Sequence, residues 1–474
     1  MKQQNSGIQL ICAVLLAILP FGSWTQDKEI VDKNFSFSEY LETVRLHHPM
    51  FMRADLVLDK GDAQVLSSRG AFDPVVYAEI TQKYFKGKQY YSLLDGGIKI
   101  PTWFGVELYA GYEQNRGENA NPQYRTPDAG LAYAGVSVPI LQGLLMDKRR
   151  ATLRKAQISL KMSEQEVNLI KNDVLQEAMI AYWQWYTAYN VMEIYRDALQ
   201  VAKERYVGVK QSARLGDIPA IDTLEAGIQV QNRMFSLQQA ELEYANAKAL
   251  LSLHLWQQGS IPLELGEGVI PPVGEMSVGE LPFLAPPLDW ETQLIDHPEL
   301  NKAQLKIDQL QLDRRIALEL VKPELNLKYN ALNEPISSNP FAEYSLSNYK
   351  WGADFSIPIL LREGRGELKL ANLHIQDANL GLEQKKVQLS IKVQQANNEW
   401  RTTNQQLELY RQTYRDIERL LQGEQTKFSR GESSLFLVNS REMNYISARV
   451  KLVELYAKNM LALIKTYHSL GLLK

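Results

Sequence analysis

The side chains best suited to chemistry are few in this chain and poorly spaced for it. Among 474 residues there are six histidines, His47, His48, His254, His297, His374 and His468, and one cysteine, Cys12. No two histidines fall at a ligand spacing on a common helix face, and a single cysteine excludes both a disulfide framework and a thiolate-rich metal site. No Gly-rich phosphate loop, nucleophile elbow or His-Glu-x-x-His pattern occurs. His48 and His297 each precede a proline and read as local structural groups rather than ligands. Lysine and arginine total 52 against 55 aspartates and glutamates, a formal charge of −3. The basic residues are scattered, so nothing pulls the chain towards nucleic acid. No catalytic residue, cofactor or metal follows from these types and spacings, and the reading is that of a non-enzyme whose function lies in shape.

The elements that give it shape begin after a targeting segment. Lys2 precedes an apolar run from Ile8 to Phe21, broken only by Gln9 and Pro20, and small residues Gly22, Ser23 and Thr25 follow. That order describes a secretory signal peptide over residues 1–25. The run is shorter than the ~20 apolar residues a retained anchor needs, and no later run is long enough to span a bilayer as a helix. A membrane-spanning mature chain would therefore have to use a β-barrel.

The chain repeats itself. His48-Pro49 returns as His297-Pro298, and Pro74 as Pro323, at the same offset of 249. Val136-Ser137-Val138-Pro139-Ile140-Leu141 returns as Phe355-Ser356-Ile357-Pro358-Ile359-Leu360, and Arg214-Leu215-Gly216-Asp217 has a looser echo in Ser429-Arg430-Gly431-Glu432. Recurrence in the same order predicts two tandem repeats. The predicted organisation is a first repeat over 26–256, a Pro/Gly-rich connector over 257–287 and a second repeat over 288–474. Each repeat holds a helix, a β segment, a very long helix and a shorter return helix.

The long helices carry the clearest periodicity. Leu153, Leu160, Val167, Val174, Ala181, Ala188, Tyr195, Ala202 and Val209 stand at consecutive seven-residue steps. Leu368, Ile375, Leu382, Leu389 and Ala396 begin a similar seam in the second repeat. Sustained heptads predict long coiled-coil helices of about 70 residues, roughly 105 Å. Both seams meet a break, at Gly216–Pro219 and Gly431–Ser434, before the return helix.

The β segments alternate with period two. Leu325, Leu327, Tyr329 and Ala331 oppose Asn326, Lys328 and Asn330; Tyr349, Trp351, Ala353 and Phe355 oppose Lys350, Gly352 and Asp354. An apolar, partly aromatic face backed by a polar one suits a barrel wall in lipid, and also an antiparallel sheet with one solvated face. Strand-like runs near 75–85, 90–100, 104–113 and 131–139, with a polar loop over Asn115–Asp128, bring the total to four to six strands. Single-chain barrels start at about eight strands, so a barrel built from this chain must be shared among copies.

Taken together, these features resemble the TolC-like outer membrane factors. The marker stretches are His48-Pro49 and His297-Pro298, Gly70-Ala71-Phe72-Asp73-Pro74, Pro139-Ile140-Leu141-Gln142-Gly143, and Pro358-Ile359-Leu360 with Gly364. The resemblance covers essentially the whole mature chain. It implies a mainly α fold with β, in which a membrane β-barrel shared between protomers sits on a periplasmic tunnel of antiparallel helices. It also implies a homotrimer in outer-membrane lipid, the exit duct of a tripartite efflux pump or type I secretion system. Its implied partners are a periplasmic adaptor and an inner-membrane transporter. Two other readings remain at this level, a periplasmic adaptor and a secreted coiled-coil scaffold.

The resemblance places adaptor docking at the helical tips, on Leu215, Gly216, Asp217 and Pro219 and on Arg430, Gly431, Ser433, Ser434 and Leu435. It places a gate just beyond them. Family members often carry carboxylates after the second tip, whereas this chain reads Leu435-Phe436-Leu437-Val438-Asn439-Ser440, with no acid before Glu442. Asn439 and Ser440 are therefore the expected gate groups, with Asp222 in the matching part of the first repeat.

Overall fold

A computed structural model describes residues 34–117, 121–266, 268–272, 286–287, 289–334 and 345–473. The predicted signal peptide, with Cys12, and residues 273–285 of the connector lie outside the described residues.

Local chemistry sets the helix boundaries. Ser36 and Glu39 form a reciprocal capping box at the start of α1 (Phe37–His47), which satisfies two of the backbone N–H groups a helix start leaves unpaired. His48 ends α1 and caps α2 (Pro49–Arg69), its Nδ1 accepting from the Met50 N–H at 3.2 Å with Pro49 at the first helical position. Four strands follow: β1 (Val75–Phe85), β2 (Lys88–Pro101), β3 (Glu107–Arg116) and β4 (Leu131–Pro139). Asp147 then caps α3 (Lys148–Leu215), and α4 (Ala220–Ser252) returns alongside it. A short ribbon of β5 (Trp256–Gln257) and β6 (Ile261–Pro262) leads towards α5 (Trp290–Ile295). His297 repeats the histidine cap on α6 (Pro298–Glu319), its Nδ1 accepting from the Glu299 N–H at 3.1 Å. Strands β7 (Glu324–Asn333) and β8 (Tyr349–Ser356), the long helix α7 (Arg362–Ser429) and α8 (Leu435–Ser469) complete the chain.

The duplication is visible in the dimensions. Helices α3 and α7 are each 68 residues, close to 100 Å at a rise of about 1.5 Å per residue. None of the nine heptad positions of the first seam is exposed. α3 is the central element, packing against α2, α6, α4 and α8, while α7 packs against α6 and then α8. The helical layer therefore runs α2-α3-α6-α7 beside the sheet and α4-α3-α8-α7 towards the tips.

The largest core sits midway along α3. Trp183, Trp185 and Tyr182 are completely buried there with Phe37 and Tyr40 of α1, Leu251 of α4 and Leu463 of α8. Two hydroxyls pin α1 to α3, Tyr40 donating to the Ala178 carbonyl at 3.1 Å and Tyr182 to the Phe35 carbonyl at 2.9 Å. The described part of the connector joins this core: Leu265 and Val269 are buried in it, and the Ile270 carbonyl accepts from the Phe35 N–H.

All six long strands form one antiparallel sheet in the order β1-β2-β3-β4-β7-β8. It is open, with β1 and β8 at its edges. Its count is the upper end of the four-to-six range. The predicted run at 104–113 lies three residues further on, because Trp103, Phe104 and Gly105, with φ +93° at the glycine, make the β2–β3 turn.

Candidate functional site

The sheet separates two chemistries by face. In the observed register Leu327 pairs with Ala353, Tyr329 with Trp351 and Leu325 with Phe355, so the alternation read from sequence puts these apolar groups on one surface. Val136 and Leu108 extend the surface across β4 and β3, and Ile98 with Val76 carries it to β1. Val76 is 80% exposed, Trp351 67% and Phe355 64%, a degree of apolar exposure that water penalises and lipid does not.

The opposite face is polar and internally bonded. Glu107 receives Lys99 at 3.0 Å and Arg149, from the first turn of α3, at 2.6 Å; Lys328 pairs with Asp354 at 2.9 Å. Tyr77, Gly97, Gly111 and Tyr133 form one row across β1 to β4 on this face. The two tyrosines reach over the glycines until their hydroxyls meet at 2.5 Å, and Tyr133 also donates to Asp95 at 2.8 Å. A Cβ on Gly111 would lie 2.6 Å from the Tyr133 ring, so glycine is required for this crossing. Sequence periodicity separated polar from apolar face but gave no sign of the row, which exists only once four strands are in register.

At the far end the two helix breaks are glycine turns. Gly216 and Gly431 adopt φ of +84° and +77°, the left-handed conformation that closes helix C-termini. Asp217 N–H then bonds the Ser212 carbonyl at 3.0 Å, and Glu432 N–H the Lys427 carbonyl at 2.9 Å. Leu215, Gly216, Asp217 and Pro219 are exposed, as are Arg430 and Gly431. Ser433 donates to Glu424 at 2.6 Å, and the Ser434 side chain caps α8. Leu435 differs from its neighbours. It is buried against Val209 of α3 and Ala226 of α4, so its side chain fastens the two hairpins together and is not available on the tip surface.

The gate candidates separate in the same way. Ser440 is exposed and Asp222 half-buried. Asn439 is buried and does not project as a free amide. Its Oδ1 accepts from Arg205 Nη1 of α3 at 3.1 Å, and its Nδ2 donates to Glu225 of α4 at 3.0 Å. The same guanidinium nitrogen forms an ion pair with Glu442, one turn further along α8. Arg233 of α4 is buried nearby; burial lowers its pKa, and the charge of Glu442 opposes that shift. Two arginines and two glutamates thus balance around one amide where α3, α4 and α8 meet. Sequence reasoning passed over Arg205 and Glu225 and noted Glu442 only as the first acid after the tip. One signal was present: Asn439 and Glu442 stand three residues apart on the helix stripe that also carries Leu435 and Ile446, where polar groups need partners. A second tie between α3 and α8, Asp197 with Arg449 at 3.3 Å, is largely exposed.

Among the described residues no group of His, Cys, Asp and Glu side chains is arranged to hold a metal ion, and no helix is long and apolar enough to cross a membrane.

Comparison with known proteins agrees with this geometry. No curated protein sequence matches the chain significantly. Several solved structures share its fold. The CmeC outer membrane channel of Campylobacter jejuni superposes with a TM-score of 0.64 at 14% identity, over 92% of this chain and 85% of that one. The MtrE outer membrane channel of Neisseria gonorrhoeae, in its open state, gives 0.64 at 13% identity, covering 92% and 89%. The outer membrane protein VceC of Vibrio cholerae gives 0.62 at 14% identity, covering 92% and 95%. The profile of the outer membrane efflux protein family matches residues 105–255 and 291–471, which takes in the last two of the four strands of the first repeat, both strands of the second, and both long helices. The chain therefore belongs to the outer membrane efflux protein family, with its sheet in the outer membrane and its helices forming a periplasmic tunnel.

Proposed function

We propose that the chain works as a homotrimeric exit duct, a passive conduit for a tripartite efflux pump or type I secretion system. A periplasmic adaptor and an inner-membrane transporter engage its helical tips. The observation that carries this reading is the open six-stranded sheet, apolar on one face and charged on the other, continuous with helices of about 100 Å. One chain has too few strands to seal a wall in lipid, so copies must combine. A soluble adaptor or secreted scaffold has no use for such an apolar face.

Docking is assigned to Leu215, Gly216, Asp217 and Pro219 of the first tip and to Arg430, Gly431, Ser433 and Ser434 of the second. The closing device is the cluster of Arg205, Glu225, Asn439 and Glu442, which clasps α8 to α3 and α4. Opening the tip means pulling α8 away from α3, and adaptor contact at the tips supplies the differential binding that such a shift requires. The test is single-channel conductance in planar bilayers. Wild-type trimers are expected to stay mostly closed and Glu442→Gln trimers to open more often; equal open times in the two would remove the closing role.

A further inference from the structure

We infer that the duct carries an oxyanion-binding collar where the sheet meets the long helices, built in each copy from Lys99, Lys148, Arg149 and Lys328. Its ligands are small polyvalent oxyanions passing through the lumen. This rests on the duct reading above, in which the polar face lines the lumen, and adds to it a site and a class of ligand.

A cavity of about 470 Å³ lies on the polar face at the helical end of the sheet, a volume typical of small-ligand sites. Lys99 of β2, Lys328 of β7, and Lys148 and Arg149 from the first turn of α3 line it, with two carboxylates, Glu107 and Asp147. The carboxylates do not use up the cations. Glu107 is shared between Lys99 and Arg149. Asp147 is turned to Arg150, which it pairs at 3.1 Å. Lys328 pairs with Asp354, but both side chains are more than half exposed, and such pairs hold weakly. Lys148 is exposed and has no carboxylate partner among the described residues. Glu107 engages Nη1 of Arg149, which leaves the rest of the guanidinium fork for an oxyanion, the geometry it fits best.

The polar face segregates charge where it could cancel it. The register sets Glu79, Asp95 and Glu113 opposite one another in one row across β1, β2 and β3. Asp95 stands four residues beyond Lys99 on β2, about 13 Å along the strand. Like charges directly opposite cost stability, so a wall shaped by stability alone would mix these acids among the lysines. Their separation leaves the collar positive, and low-dielectric walls focus such a field into the lumen. The cavity also stays open on assembly. Its strands are the inner ones of the sheet, away from the β1 and β8 edges, so copies that meet at the edges do not cover it.

Open-channel recording in planar bilayers tests the collar, with tripolyphosphate as the probe at low salt, where charge is least screened. Wild-type current is expected to be blocked. The double variant Lys148→Gln/Lys328→Gln should need about tenfold more tripolyphosphate for half-block, and its reversal potential in a KCl gradient should move towards cation preference. Both lysines are exposed, so the variant keeps its fold. Lys148→Arg/Lys328→Arg should retain the wild-type block, because charge and not lysine packing does the binding. Open channels that tripolyphosphate leaves unblocked, or blocks equally in wild type and the glutamine variant, would overturn the collar and leave the duct reading intact. A protein that forms no channels would remove the duct reading itself, and the collar with it.

Discussion

The two helical hairpins at the tip end begin alike and are held differently. Both turn at a glycine in the left-handed conformation. After the turn, α8 buries Leu435, Val438, Asn439 and Glu442 against α3 and α4, whereas α4 leaves Ile221, Leu224, Ile228, Phe235 and Leu242 exposed along one stripe. The second hairpin is clamped within its own copy by charge and packing. The first presents an apolar edge that its own chain leaves uncovered. Duplication supplied two similar hairpins, and they diverge after the glycine, one buried against its own chain and the other left apolar and exposed.

The largest disturbance of that contrast acts above both hairpins. Ala181 is buried in the middle of α3, the helix that touches α2, α4, α6 and α8. Ala181→Pro removes a backbone hydrogen bond and adds a clash worth about 3 kcal/mol or more. It should abolish trimers on native gels, and unimpaired trimers would mean that α3 is not the assembly's spine.

The clamp comes next. Arg205→Ala removes the direct ion pair of buried Glu442 and leaves Arg233 as its nearest cation, a change expected to cost up to about 3–5 kcal/mol. Tips of this variant should be opened by proteases or conductance measurements where wild type is closed. The double variant Arg205→Ala/Glu442→Ala should recover part of the loss. Arg449→Ala, which breaks the exposed Asp197 pair, should cost no more than about 1 kcal/mol and serves as the comparison. Equal effects at the buried and exposed pairs would dissolve the distinction between them.

At the sheet end, Gly111→Ala forces a methyl group into the Tyr133 ring. It should lower the heat resistance of the trimer more than Tyr77→Phe, which removes only one hydroxyl bond. The reverse order would show that the tyrosine bond, not the glycine floor, holds the row.

The smallest effect is protonic. His48 and His254 stack at 5.6 Å between ring centres. Burial, with a smaller contribution from His48, lowers His254 to about 4 from an ordinary 6.5. Burial also lowers His48, whose Nδ1 must stay unprotonated to cap α2. The unfolded chain therefore takes up protons first as pH falls below about 6.5. Stability is complete above that value and declines towards pH 4. Thermal melts across this window should show the decline, and His254→Gln should reduce it, leaving the part due to His48, His297 and His468, which burial also lowers.

Much of the architecture was legible because it depends on period and order. The seven-residue seam in α3, the alternation in β7 and β8, and the histidine–proline pairs each express a local preference that the fold keeps. The histidines prove to be helix caps, a role that needs only the neighbouring backbone N–H. What could not be read was which neighbour a face meets. Asn439 is expected from sequence to present its amide at a gate because the resemblance puts carboxylates just after the second tip, where this chain has an amide and a hydroxyl. Its amide is bonded within the chain to Arg205 and Glu225, residues 234 and 214 positions away in sequence. Leu435 was misjudged for the same reason, since proximity to a turn does not reveal burial against Val209 and Ala226.

The central claim is that identical copies combine to seal a wall that one chain leaves open. Its most direct test is the native mass of the protein extracted from the outer membrane. A species that requires detergent and contains three copies is predicted. A monomer that stays fully helical in water without detergent would contradict it.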